Sequence, residues 1–376
     1  MPDTNRLSQS RYEELDSLRG LAALAVMAHH FLFIFPFIHP YQNIHHPFLQ
    51  VITFSPLHLF WTGYESVLLF FVLSGFVLSL PFNGGRAPTY RSFIIKRIFR
   101  IYFPYLAAIL LAVGLMTLFS RGGIEGLSSW FNSTWLAFDL RSFLKHLSLI
   151  ALPFNEAGRY DPVVWSLAIE MQISILFPFL FLAVFFFGWK RALAGAALLA
   201  WLSYTTGRLP LLRYVPAFIA GVLLARAREE LISAYRKFTT SQRIFWFVSA
   251  IVCYCVQWNA YSEEPQRQYL NDCLITLGAS MFIVTALGSA KASRALLLGP
   301  LVFVGKISYS IYLYHAIVLF TLVNLLYGRI PIGFILGLSV VVTFAVSSLS
   351  YFCIERTCIH WGKVLANPIE VRTRVN

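Results

Sequence analysis

The sequence predicts an all-α fold, a polytopic transmembrane helical bundle of about ten spans. Three observations carry that prediction. Hydrophobic residues make up 58% of the 376, charged residues only 12%, and the mean hydropathy is +0.67. A soluble domain carries about 25% charged residues, so this chain has about half the charge needed to coat a globule in water. Apolar runs of membrane-crossing length recur along the chain, without the short alternating segments of a β-barrel. Finally, Lys and Arg are distributed unevenly between alternate loops.

The spans fall at 19–38, 64–82, 103–119, 164–187, 191–207, 211–225, 244–260, 271–289, 307–327 and 332–354. An even number puts both termini on one side. That side holds 22 of the 30 Lys and Arg, the other side 8, so the positive-inside rule predicts both termini in the cytoplasm. One transmembrane domain, 19–354, then lies between a cytoplasmic segment, 1–18, and a cytoplasmic tail, 355–376. The polar start MPDTNRLSQSRYEELDSL is followed by an apolar run with no small-residue cleavage site, which reads as a retained span and not a signal peptide. The net charge of +13 reads as topogenic, with no nucleic-acid partner expected. Cys253, Cys255, Cys273, Cys353 and Cys358 lack metal spacing and read as packing residues, so no metal site is expected.

The first span, LDSLRGLAALAVMAHHFLFIF, sets an Arg at its polar start and two His inside an apolar helix. Arg19 and His30 are eleven residues apart, close to three full turns, so they share a face, with His30 roughly 16 Å above Arg19. In a hydrocarbon core of about 30 Å, Arg19 sits at the water boundary and His30 near mid-depth, where an ionisable group faces a cavity or a partner. His29 points about 100° away, and Asp16 is spaced to brace Arg19.

YRSFIIKRIFRIYFPY, at the cytoplasmic mouth of the third span, clusters Lys96, Arg97 and Arg100, followed by Tyr102. Guanidinium groups bind phosphate bidentately, which suits a nucleotide-bearing ligand. The long outer segment 120–163 contains SSWFNSTWLAFDLRSFLKHLSL, a mixture of aromatics and charges that suggests a helix lying at the interface. Its Asn132-Ser133-Thr134 matches a glycosylation sequon. PVVWSLAIEMQISILFP places Glu170 inside a span, where a carboxylate needs a specific partner. Trp165 at its outer end is an interface anchor or a stacking surface for a sugar. In VGKISYSIYLYHAIVLF, Tyr309, Tyr312 and His315 recur at three-residue steps, and His315 lies nine residues beyond Lys306, about 13 Å into the membrane.

No nucleophile elbow, zinc-ligand cluster or Walker loop is present. Any mechanism must therefore use intramembrane His, Arg and Glu, a set that serves either an enzyme or a proton-coupled transporter of a glycan or acylated metabolite.

Together these stretches resemble the membrane-bound acyltransferase 3 family. LDSLRGLAALAVMAHH is similar to its opening helix, with Arg19 and His30 at the Arg–ten residues–His positions. LLFFVLSGFVLS, which contains Ser74, KRIFRIYFPY, VVWSLAIEMQISILFP, KISYSIYLYH and YFCIERT are similar to five further family motifs, in the same order. Phe103 and Thr357 stand where the family usually has proline. The resemblance implies an O-acyltransferase of a bacterial cytoplasmic membrane that uses acyl-CoA, most often acetyl-CoA, as donor. It holds no permanently bound cofactor and acylates a hydroxyl of a carbohydrate or lipid-linked glycan. The esterase-like domain of some members is not expected here. On this reading Arg19, Lys96, Arg97 and Arg100, with Tyr102, hold the donor phosphates. His30 acts as general base or transient nucleophile, braced by Arg19 and Asp16 and sharing one shaft with the basic mouth. Glu170 and Trp165 position the acceptor, with Ser74, Tyr309 and His315 in support.

Overall fold

The computed structural model describes residues 12–39, 44–83, 87–256 and 264–366. Among these the fold is helical, and six helices are long and apolar enough to cross a membrane: Tyr64–Asn83, Tyr90–Phe119, Val164–Phe187, Pro265–Gly288, Ser308–Leu326 and Ile332–Ala366. The other predicted spans coincide with the helices Glu13–Phe33, Trp189–Thr206, Leu211–Arg226 and Thr240–Tyr254. The first of these keeps its charged opening turn, and the last two have 16 and 15 residues, about 24 and 22 Å of rise. The end of the span expected at 244–260 lies partly outside the described residues, as do parts of the expected terminal segments 1–18 and 355–376.

Two of the long helices contain a widened π turn. In Tyr90–Phe119 it covers Ile98–Tyr102, just before Pro104. Proline lacks an N–H and its ring crowds the carbonyl four residues back, that of Arg100, and the wider turn absorbs both defects without breaking the helix. The basic cluster therefore lies within one continuous helix and not on a loop flank. The second π turn covers Tyr351–Glu355. Thr357 keeps the N–H that a proline would remove, and the helix runs on to Ala366.

Glycines set the closest helix crossings. A Cβ at Gly75 would lie 2.1 Å from the Phe218 carbonyl oxygen, and one at Gly221 would lie 2.1 Å from that of Val72. The Tyr64–Asn83 and Leu211–Arg226 helices thus touch backbone to backbone, as small residues permit inside membranes. Gly20 meets Gly305 in the same way, which draws the Arg19 helix against the segment leading into Tyr309. The segment 120–163 forms two short helices, Ser129–Asn132 and Leu140–Ser148, in place of the single helix expected at the interface. The Asn132 side chain accepts from the Ile124 amide at 2.8 Å and donates to the Ile124 and Leu127 carbonyls. The sequon asparagine is therefore committed to folding its own loop.

Candidate functional site

Arg19 rises from the polar first turns of its helix, and its guanidinium meets Asp16 at 3.4 Å, the brace its spacing predicts. It lines a cavity. Arg97, Arg100, Ser74, Glu170, Tyr309 and Tyr312 also line it. The walls between them are apolar, chiefly Val67, Phe70, Phe71 and Leu167. A cationic end leading into an apolar bore suits a ligand with a phosphorylated head and a thin, less polar arm.

The three basic residues of the expected phosphate cluster are not equivalent. Arg97 is buried, and its guanidinium donates to Glu170 at 2.7 Å and to the Ser174 hydroxyl at 3.1 Å. Ser74 donates to the same Glu170 oxygen at 3.1 Å. This carboxylate thus has its specific partner, and the pair forms one wall of the cavity. Arg100 is exposed at the mouth, whereas Lys96 and Tyr102 do not line the cavity. The Tyr102 hydroxyl donates to the Leu147 carbonyl at 2.6 Å, tying the helix to the segment 120–163.

His30 does not share this cavity. The sequence expectation is one shaft with His30 directly over the arginines, and His30 is not among the residues lining the cavity that holds them. Tyr312 and Ser166 line it and meet in a hydroxyl–hydroxyl contact of 2.6 Å. Three residues along the helix from Tyr312, and therefore on the same side, stands His315, with ring centroids 6.2 Å apart. His315 in turn meets His30, Nε2 to Nδ1, at 2.8 Å. The two imidazole planes differ by 13° and their centroids are 5.1 Å apart, so the rings meet edge to edge, with the contact lying in both planes.

That contact fixes the protons of the neutral pair. His315 Nδ1 lies 2.9 Å from the Ile311 carbonyl, which can only accept, so Nδ1 carries the hydrogen and Nε2 is an acceptor. His30 Nδ1–H therefore donates to His315, and His30 Nε2 carries the free lone pair. The arrangement orients that lone pair. His29 faces away as predicted, its Nδ1 3.2 Å from the Trp61 carbonyl.

Trp165 joins an aromatic group at the outer helix ends. It stacks on Tyr64, with centroids 6.2 Å apart and planes 16° off parallel, and contacts Tyr214 and Phe154. Tyr64 donates to buried Asp272 at 2.9 Å, and Tyr204 donates to the same carboxyl oxygen.

Three residues escape the sequence reading. Trp130 lies parallel to His30, with planes 6° apart and centroids separated by 5.2 Å. Ser166 lines the cavity and bonds the Tyr312 hydroxyl. Asp161, just before the Val164–Phe187 helix, is fully buried, and its Oδ2 has no hydrogen-bond partner among the described residues. Burial pushes its carboxyl up to about 8. Nothing in local spacing marks the first two, because their partners come from distant helices.

The family model described as an acyltransferase domain matches residues 12–351. The peptidoglycan O-acetyltransferase OatA of Listeria monocytogenes is 24% identical over 391 residues, covering 94% of this chain and 57% of the relative. YrhL of Bacillus subtilis, named provisionally for the same activity, is 28% identical over 348 residues, covering 82% of this chain and 52% of the relative. The chain thus spans about half the length of these curated relatives. No solved structure matches it. Six of the described helices are long and apolar enough to cross a membrane, and with a family match over residues 12–351 the chain belongs to the acyltransferase 3 family.

Proposed function

We propose that the protein transfers an acyl group, acetyl in the simplest case, from acyl-CoA to a hydroxyl of a cell-envelope glycan. The observation that carries this reading is the His30–His315 contact, which leaves an oriented imidazole lone pair next to the inner end of a cationic cavity. The excess of Lys and Arg on one side orients the mouth towards the cytoplasm, where CoA thioesters are made. Arg100 and Arg19 hold the donor phosphates, and the Arg97–Glu170 pair shapes the wall beside the donor's arm. The thioester passes the Tyr312–Ser166 contact, a single hydrogen bond, to reach His30. The glycan acceptor is suggested by the two relatives' names.

In the reaction His30 Nε2 takes the proton of the acceptor hydroxyl as its oxygen attacks the thioester carbonyl carbon. The C–S bond then breaks, and the proton on His30 passes to the leaving thiolate, giving an ester and free CoA. His315 receives the His30 Nδ1–H bond throughout and stabilises the imidazolium, the orienting role that a carboxylate plays in a hydrolase triad.

The test uses the purified chain in nanodiscs with acetyl-CoA and a soluble N-acetylglucosamine oligomer. Thiol release that requires both the saccharide and His30 is expected. Saccharide flux across vesicles with no thiol release would instead make this a carrier.

A further inference from the structure

We propose that the indole of Trp130 is the platform on which the acceptor's sugar ring lies while its hydroxyl is acylated. This rests on the acyl-transfer reading and adds the place where the acceptor binds. Trp130 is fixed relative to His30 by local bonds. Ser128, the residue capping the short helix, donates its amide to the Ile34 carbonyl at 2.9 Å and its hydroxyl to the Phe33 carbonyl at 2.5 Å. Those carbonyls lie at the end of the helix that carries His30, about one turn beyond it. From below, Phe131 is buried against Phe320, with planes 19° apart and centroids separated by 4.7 Å.

The stacking is offset. Parallel rings in van der Waals contact lie about 3.5–4 Å apart, so centroids 5.2 Å apart imply a sideways shift of about 3–4 Å. Part of the indole face therefore extends past the imidazole. Both Trp130 and His30 remain partly exposed, whereas Phe131 and Trp135 of the same segment are 2% and 1% exposed. Phe320 and Phe33 also contact the indole, at 5.4 and 6.0 Å between centroids, and hold it in place while part of its surface stays open. A membrane-belt tryptophan would face the headgroups, but this one turns its face to the base.

A pyranose suits the projecting face. The C–H bonds on one side of the ring pack against the electron-rich indole, while the equatorial hydroxyls point outward around the rim. One of them then lies beside His30 Nε2. The donor approaches through Tyr312 and Ser166 on the cytoplasmic side and the acceptor from the outer segment, so the two substrates meet at His30 from opposite directions.

The test uses the full chain in nanodiscs and the N-acetylglucosamine trimer as probe. Trp130→Ala is expected to raise the saccharide KM by about tenfold, leaving the acetyl-CoA KM unchanged, and Trp130→Phe should recover much of the loss. An unchanged saccharide KM in Trp130→Ala, or equal weakening towards both substrates, overturns the proposal. A second measurement needs neither donor nor turnover. Adding the trimer should change the tryptophan emission of the wild type and of Trp165→Phe but not that of Trp130→Phe. Emission changes that persist in Trp130→Phe, or are absent from the wild type, also overturn it. Absence of thiol release from the wild type would sink the acyl-transfer reading separately, because the emission experiment does not depend on it.

Discussion

His30 Nδ1 and His315 Nε2, 285 residues apart in sequence, lie 2.8 Å from each other with their rings nearly coplanar. Because His315 Nδ1 is committed to its own helix through the Ile311 carbonyl, His315 acts on His30 as a fixed acceptor. His30→Ala should lower the transfer rate by about 10²–10⁴-fold, the usual contribution of a general base. His315→Ala should lower kcat less and leave the donor KM unchanged. His315→Gln, whose amide oxygen can accept the same N–H, should recover part of the loss. The double substitution should be no slower than His30→Ala alone, since the residues act as a unit. Thiol release against time reads all four variants, and fully additive losses would show that the pair does not work together.

Arg97 and Glu170 make a different kind of pair. Their side chains are 7% and 19% exposed, and removing one partner strands the other charge. Glu170→Ala should therefore destabilise the fold by about 3–5 kcal/mol, read as a lower unfolding temperature in detergent. Replacing both residues by apolar ones of similar volume should restore much of the stability but not the activity, because the cavity loses its polar wall. An unfolding temperature unchanged by Glu170→Ala would mean that water reaches the pair freely.

The basic cluster should separate under substitution. Arg100 lines the cavity mouth and Lys96 does not, although both belong to the same sequence motif. Arg100→Ala should raise the donor KM several-fold with a smaller change in kcat, and the effect should shrink with added salt as phosphate attraction is screened. Lys96→Ala should leave the donor KM near that of the wild type. Equal effects at the two positions would assign the whole cluster to topology.

Hydropathy places the long apolar helices, because lipid imposes length and apolarity on each helix independently of its neighbours. Helical spacing puts Asp16 beside Arg19 and turns His29 away from His30, since both relations are local. The partners of Glu170, His30 and His315 are tertiary: Arg97 comes from 73 residues before Glu170 and His315 from 285 after His30. Spacing from the helix end gives each His a depth but no rotational relation to the other. Trp130 is hidden for the same reason, as its place is set by a loop pinned to the end of another helix. The cavity takes in the arginines and Tyr312 without His30, which instead meets His315, three residues further along the helix of Tyr312.

Glycine positions offer a test of the helix crossing that shapes the cavity. Gly75→Ala would drive a methyl group to 2.1 Å from the Phe218 carbonyl oxygen, and Gly221→Ala would do the same at Val72. Backbone cannot yield as a flexible side chain can, so each should cost at least the 1–3 kcal/mol typical of overpacking and reduce the yield of folded protein. Gly195→Ala, in an exposed helix position with no atom within 4 Å of the new Cβ, should be neutral or stabilise by up to about 1 kcal/mol. Folded yields by size-exclusion chromatography compare the three, and a well-folded Gly75→Ala protein would rule out the close crossing.

Asp161 predicts how stability follows pH. Its carboxyl titrates at about 8 in the fold, against about 3.9 in an unfolded chain, because burial disfavours the anion. The folded state thus holds the proton more tightly, and the unfolded state releases it first as pH rises. Its contribution is complete below about pH 4, declines between about pH 4 and 8, and is flat above that. Asparagine keeps the shape and cannot ionise. Compared with Asp161→Asn, the wild type should therefore lose unfolding temperature steadily from pH 5 to pH 8, whereas the two should run in parallel above about pH 9. Pairing the two proteins cancels the titration of every other group, so a temperature difference that stays constant across the whole range would mean that Asp161 is already ionised in the fold and reached by water.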